Sequence, residues 1–76
     1  MKELRNKIGV VGLGYVGLPL ALAFTRAGYE VIGVDIDEER INALQSGESY
    51  LTDVTDDAVA NAVVEEFRPT TEYAAL

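Results

Sequence analysis

Three glycines and one acid lie at spacings that suit the binding of a diphosphate. Gly12, Gly14 and Gly17 follow an apolar run, and Asp35 comes 18 residues after the last of them. The first glycine permits a tight turn, the second lets backbone approach a pyrophosphate, and the third lets a helix pack closely on a sheet. The amides of that helix's first turn lack intrahelical partners, so with the helix dipole they favour an anion.

The elements around these residues are predicted to form a βαβ unit. We expect a strand over residues 7–11, a helix over 15–27, and a second strand over 30–34 that ends at Asp35. An acid at that point accepts hydrogen bonds from an adenosine ribose and repels a 2′-phosphate. The layout therefore predicts dinucleotide binding, with NAD favoured over NADP. A glycine turn that serves only helix–sheet packing is the alternative.

The rest of the chain continues with two helices and a third strand. Asp37 is expected to cap a helix that runs through residue 46, and another helix is expected from 55 or 56 to 66. Residues 67–71 predict a brief edge strand, and residues 72–76 begin one more helical turn. Residues 1–6 are expected to be a solvated lead-in.

This order of elements predicts an α/β fold, a partial Rossmann unit. Right-handed crossovers place the three parallel strands in the order 3-2-1, with helices on both faces. The first strand is then left as an open edge, and an apolar edge strand is a template for pairing with another chain. We therefore expect a homo-oligomer that forms through the edge of strand one.

The length and the missing residue types limit the chemistry. The 76 residues suffice for one small domain, with no room for a second. The sequence has no cysteine and no histidine, which excludes a thiolate nucleophile, a Cys/His zinc site and imidazole catalysis within it. The acids Asp53, Asp56 and Asp57 precede a helix, where capping accounts for them, so we expect no metal site.

The charge and the apolar stretches limit the partners. The net charge of −7 would repel a phosphate backbone, so nucleic acid is not expected as a partner. The longest apolar stretch, residues 16–24, is too short to span a bilayer, and the charged N-terminus does not read as a signal peptide. We therefore expect no membrane contact and a cytoplasmic location.

A longer string of residues resembles a known family. The segment IGVVGLGYVGLPLALAFTRAGYEVIGVDIDEERINALQSGESY is similar to the amino terminus of the UDP-glucose/GDP-mannose dehydrogenase family. The DV…FRPTTEY segment that follows is most similar to the branch that acts on UDP-N-acetylhexosamines. The resemblance covers nearly the whole chain and is far more specific than the glycine pattern alone.

The resemblance implies a reaction and roles for individual residues. The family oxidises the C6 alcohol of a sugar nucleotide to a carboxylate with two NAD, through a thiohemiacetal and a thioester on a cysteine. By position, Tyr15 and Val16 present backbone to the pyrophosphate, Asp35 binds the adenosine ribose, and Arg40 lies over the adenosine end of the cofactor.

The sequence departs from the family in lacking that cysteine and the domain that binds the UDP-sugar. Residues 1–76 are therefore expected to be the N-terminal part of an NAD-binding Rossmann domain, a fragment without catalysis of its own. Two alternatives stay open. One is a stand-alone half-Rossmann module for nucleotide binding or self-assembly, and the other is an oxidoreductase segment that binds FAD through the same glycine pattern.

Overall fold

The computed structural model describes residues 6–76 as a parallel sheet with helices. Its strands are β1 (Lys7–Val11), β2 (Glu30–Val34) and β3 (Phe67–Thr70), in the spatial order β1-β2-β3. Its helices are α1 (Gly17–Arg26), α2 (Glu38–Gln45) and α3 (Asp56–Glu65), and a 3₁₀ turn follows at Tyr73–Ala75. The fold class and the strand order are confirmed. The prediction of helices on both faces is wrong, because all three helices pack into one core on one face: right-handed crossovers that advance in one direction across the sheet leave their helices on the same side. The predicted lead-in lies almost wholly outside the described residues.

The first helix begins later than predicted. Its N-cap is Val16, which supplies no side-chain hydrogen bond, and the Leu18 amide makes the helix's first backbone bond, to the Gly14 carbonyl. The other two helices begin with side-chain caps. The Asp37 carboxylate accepts from the amides of residues 39 and 40, and the Thr55 hydroxyl accepts from the Ala58 amide.

One face of the sheet carries the core. Ile8, Val31 and Phe67 are neighbours across the three strands, and side chains from all three helices pack on that row. The buried helical side chains in this cluster are Leu18, Ala21, Leu22, Ile41, Leu44, Val59 and Ala62. We refer to this side of the sheet as the helical face.

The opposite face is covered less completely. Val34 is buried there and Ile32 is half-buried, whereas Gly9 and Val11 are exposed. Leu76, just after the 3₁₀ turn, lies against Gly9, close enough that a Cβ at Gly9 would come within 2.7 Å of its Cδ2. We call this side the open face. Within residues 6–76, β1 pairs only with β2 and so forms an edge of the sheet.

None of the helices found between residues 6 and 76 has the length and apolar character that crossing a membrane requires.

Candidate functional site

The loop between β1 and α1, residues 12–17, needs glycine at two positions for reasons internal to the chain. Gly12 has a φ of +88°, a conformation that side chains disfavour, and its amide donates to the Val34 carbonyl at 2.7 Å. A Cβ at Gly17 would overlap the carbonyl oxygen of Gly12. The close approach that Gly17 permits is therefore to the turn itself, at the end of β1. We call residues 12–17 the glycine loop.

Gly14 is different, because nothing in the described chain requires a glycine there. Its φ is not positive, and a Cβ would make only an ordinary contact of 3.7 Å with Arg40 Nη1. A side chain at this position would instead occupy space above the loop. The missing side chain thus leaves room for a group from outside the chain to approach the backbone.

Four successive amides of the glycine loop have no partner. Between residues 6 and 76, the N–H groups of Gly14, Tyr15, Val16 and Gly17 make no hydrogen bond. Tyr15 and Val16 are 81% and 78% exposed, so this part of the loop lies at the surface of the molecule.

The start of α1 also lacks the negative groups that the other helices carry. No acid lies in its first turn, whereas α2 has Glu38 and Glu39, and α3 has Asp56 and Asp57. Among the described residues, no acid in the first turn of α1 offsets the positive end of its dipole. A diphosphate fits this arrangement, since it needs several N–H donors and a favourable dipole.

Asp35 lies directly beside the loop and is only 7% exposed. Its Oδ2 accepts from the Leu13 amide at 2.9 Å and from Arg40 Nη1 at 3.2 Å, and its Oδ1 accepts from the Asp37 amide at 2.9 Å. Burial by itself would raise the pKa of Asp35, but the two amides and the Arg40 guanidinium together hold it below its ordinary value. Asp35 is therefore a fixed, charged acceptor at neutral pH.

Arg40 forms the side of the site away from α1. Its Nη1 reaches Asp35, its Nε lies 3.7 Å from Asp37 Oδ2, and its guanidinium lies 5.4 Å from the centre of the Tyr50 ring. Arg40, Asp37 and Tyr50 line a cavity of about 280 Å³, and Tyr15 lines it from the glycine loop. The Arg40 side chain is 40% exposed, so it has room to move when a ligand enters.

All seven residues singled out from the sequence therefore lie around one loop. Gly12, Gly14, Tyr15, Val16 and Gly17 form it, Asp35 is bonded to it, and Arg40 is bonded to Asp35.

Two further residues shape this site, and no sequence pattern singles them out. Leu13 is fully buried between two glycines, and Tyr50 donates its hydroxyl to the Leu13 carbonyl at 2.6 Å. Tyr50 would be taken for a packing residue from its sequence alone, because its partner lies 37 positions away and no local pattern marks the contact.

Comparison with known proteins gives consistent results. Residues 6–76 match the NAD binding domain of the UDP-glucose/GDP-mannose dehydrogenase family. The UDP-N-acetyl-D-mannosamine dehydrogenase of Methanococcus aeolicus is 54% identical over 52 residues, which cover 68% of this chain and 12% of that protein.

Solved structures agree in fold. A UDP-D-ManNAc dehydrogenase from Pyrococcus horikoshii superposes with a TM-score of 0.86 at 33% identity, covering 93% of this chain and 18% of that one. A GDP-mannose dehydrogenase from Pseudomonas aeruginosa, solved as a ternary complex, gives 0.82 at 28% identity, over 90% and 16% of the two chains. The matched regions span only 10% to 12% of the first curated relatives.

Proposed function

The chain belongs to the UDP-glucose/GDP-mannose dehydrogenase family and has NAD as its cofactor, and on this basis we propose how the glycine loop binds it. The diphosphate of NAD rests on the amides of residues 14–17, and Asp35 accepts a hydrogen bond from the adenosine ribose. The observation that carries this proposal is the run of four unpartnered amides beside a buried carboxylate. A charged acceptor there also disfavours a 2′-phosphate.

The number of free positions on Asp35 sharpens the proposal. A carboxylate offers about four acceptor positions, and three hydrogen bonds already reach this one. One ribose hydroxyl can therefore bind without any rearrangement. A second would require Arg40 to leave Asp35, and we propose that Arg40 then lies along the adenosine.

Titration of the chain with NAD, ADP-ribose and NADP tests this assignment. Chemical shifts of the amides of residues 14–17 should move with NAD and equally with ADP-ribose, and should not move with NADP. Asp35→Asn should weaken ADP-ribose binding about tenfold or more, because it removes a charge-assisted hydrogen bond. The control is Asp53→Asn, at an exposed acid outside the glycine loop, which should bind as before.

Unchanged amide shifts at saturating ADP-ribose would refute the proposed diphosphate site. Binding of NADP as tight as that of NAD would refute the role of Asp35 in selecting the cofactor.

The catalytic setting is a further part of the proposal. Several relatives are UDP-N-acetyl-D-mannosamine dehydrogenases, and we propose that this chain serves as the N-terminal part of the NAD-binding domain of a dehydrogenase for a UDP-N-acetylhexosamine. NAD, when bound, supplies the hydride acceptor. The residues of this chain bind and orient its adenosine diphosphate end, and residues outside the 76 supply the thiol and the sugar site. The chain alone should form no NADH from UDP-sugars, and NADH formation by it would contradict this division of labour.

A second proposal concerns the edge of the sheet. Within the described residues β1 has a strand on one side only, and Val11 on it is 58% exposed. We propose that two copies of the chain pair through β1. Sedimentation equilibrium at increasing concentration should reveal a dimer. A folded monomer at millimolar concentration would refute it.

A further inference from the structure

Leu13 is held from two sides in the middle of the glycine loop. Its amide donates to Asp35 Oδ2 at 2.9 Å, and its carbonyl accepts from the Tyr50 hydroxyl at 2.6 Å. The residues on either side of it are Gly12 and Gly14, which restrict the backbone least of all residue types. These two hydrogen bonds, together with the buried Leu13 side chain, are therefore what fixes the peptide planes at the centre of the loop.

Tyr50 is itself held in place by its surroundings. It lies in the connection between α2 and α3, where the Ser49 amide donates to Asp56 Oδ1 at 2.7 Å and the Leu51 amide donates to Ser49 Oγ at 3.0 Å. Its ring lies below the Arg40 guanidinium. Burial raises the pKa of Tyr50 to about 12, so its hydroxyl stays protonated and remains a donor.

The bond from Tyr50 lies next to the start of α1. In an α-helix the amide of residue 17 would bond to the carbonyl of residue 13. Here the Leu13 carbonyl is bonded to Tyr50 instead, the Gly17 amide has no partner within the described chain, and the first backbone bond of α1 comes from Leu18. The Tyr50–Leu13 hydrogen bond is therefore found together with a free Gly17 amide, which lies at the end of the proposed diphosphate site.

We propose that Tyr50 is a positioning residue for the cofactor: its hydroxyl holds the Leu13 carbonyl and thereby keeps the glycine loop in the form whose amides receive the diphosphate. This inference rests on the proposed function and adds a residue to it. Tyr50 acts through Leu13 and does not itself contact the diphosphate.

Tyr50→Phe is the direct test, because it removes one oxygen atom and leaves the ring below Arg40. ADP-ribose binding by the 76-residue chain should weaken about three- to tenfold, the range expected for one hydrogen bond. Binding of adenosine, which has no phosphate, should not change. The matched control is Tyr73→Phe on the 3₁₀ turn, whose ring is 51% exposed, and it should bind both ligands as the unsubstituted chain does. Affinities are expressed per folded molecule, with the folded fraction taken from circular dichroism.

Hydrogen exchange gives a readout that does not need a ligand. In Tyr50→Phe the Leu13 amide should exchange several-fold faster, while amides in the middle of β2 should keep their rates. A reciprocal test uses the unsubstituted chain: ADP-ribose should slow exchange of the Tyr50 hydroxyl proton, because ligand and hydroxyl stabilise the same form of the loop. This second test holds even if Tyr50→Phe does not fold.

The possible failures are distinguishable. If the unsubstituted chain does not bind ADP-ribose, the proposed function is wrong and the cofactor role of Tyr50 falls with it. If that chain binds but Tyr50→Phe binds equally well, or loses adenosine and ADP-ribose affinity to the same extent, the positioning role alone is overturned. A Tyr50 hydroxyl whose exchange ignores ADP-ribose also overturns it.

Discussion

The two faces of the sheet are covered by different parts of the chain. On the helical face, Val31 and Phe67 are almost wholly buried under three helices. On the open face, Gly9 and Val11 remain exposed, and the nearest cover is the segment from residue 73 to 76. The sheet thus has one complete hydrophobic layer and one partial layer.

The glycine loop belongs to the complete side. Leu13 is part of the core on the helical face. Its backbone is held by two hydrogen bonds, one to Asp35 just after β2 and one from Tyr50 in the connection between α2 and α3. The geometry of the proposed cofactor site therefore depends on packing beneath the three helices. The open face contributes little to that geometry and is available to other strands or chains.

The largest expected effect comes from deleting an aromatic ring on the helical face. Phe67→Ala should destabilise the chain by about 3–5 kcal/mol, which is a large part of the stability of a domain this small. Val11→Ala on the open face should cost less than about 1 kcal/mol, since its side chain is already 58% exposed. Urea unfolding followed by circular dichroism measures both. Equal losses would mean that the two faces are equally packed.

The same substitution, glycine to alanine, can be made on each face of the sheet to compare how tightly the two faces are packed. A Cβ at Gly33 would come within 2.8 Å of the Phe67 ring and 3.0 Å of both Leu13 methyl carbons, so Gly33→Ala should cost about 1–3 kcal/mol by overpacking. At Gly9 the close neighbour is the end of the exposed Leu76 side chain, which can move aside.

Gly9→Ala should therefore change the free energy of unfolding by less than about 1 kcal/mol, and the reduced freedom of the unfolded chain could make the change favourable. The measurement is again urea unfolding. A loss at Gly9 as large as that at Gly33 would show that residues 73–76 pack the open face firmly.

The sequence predicted the strands and the residues of the site better than it predicted the long-range contacts that shape the site. Strand one, strand two and the cap Asp37 follow from local patterns, and the structure has them where they were expected. At α3 the side-chain cap is Thr55, whereas capping was expected from the neighbouring acids. The start of α1 was misplaced by two residues, because no side-chain cap marks it: its N-cap is Val16. Tyr50 was missed because its contact is not local. A hydrogen bond between residues 37 positions apart leaves no periodic or spacing signal.

The pH dependence of stability tests the contribution of Asp35, which is bonded to the glycine loop. Its pKa is lowered in the folded chain, so its hydrogen bonds stabilise the fold fully above the ordinary value of 3.8 and are lost as the pH falls through the lower, folded value. Asp35→Asn should cost about 1–3 kcal/mol at pH 7, because an amide nitrogen would face donors that the carboxylate accepts.

That difference between Asp35→Asn and the unsubstituted chain should shrink when unfolding is measured below about pH 4. The control Asp53→Asn, at an exposed acid between α2 and α3, should give a small difference at both pH values. A constant cost of Asp35→Asn from pH 7 to pH 3 would mean that its charge does not stabilise the fold.

The smallest effects are expected from two ion pairs, one exposed on the open face and one with a buried carboxylate beside the glycine loop. Lys7 Nζ lies 3.9 Å from Glu30 Oε2, and the Lys7 side chain is 68% exposed, so Lys7→Gln should cost less than about 0.5 kcal/mol and nothing measurable in 1 M NaCl. Arg40 meets a carboxylate that is only 8% exposed, at 3.2 Å, so Arg40→Gln should cost about 1 kcal/mol and keep most of that cost in salt. Urea unfolding at both salt concentrations separates the pairs, because screening weakens the exposed pair more than it weakens a part-buried hydrogen bond. A cost at Lys7 that equals the cost at Arg40 would contradict the contrast, since it would require the open face to shield its charges as well as the glycine loop does.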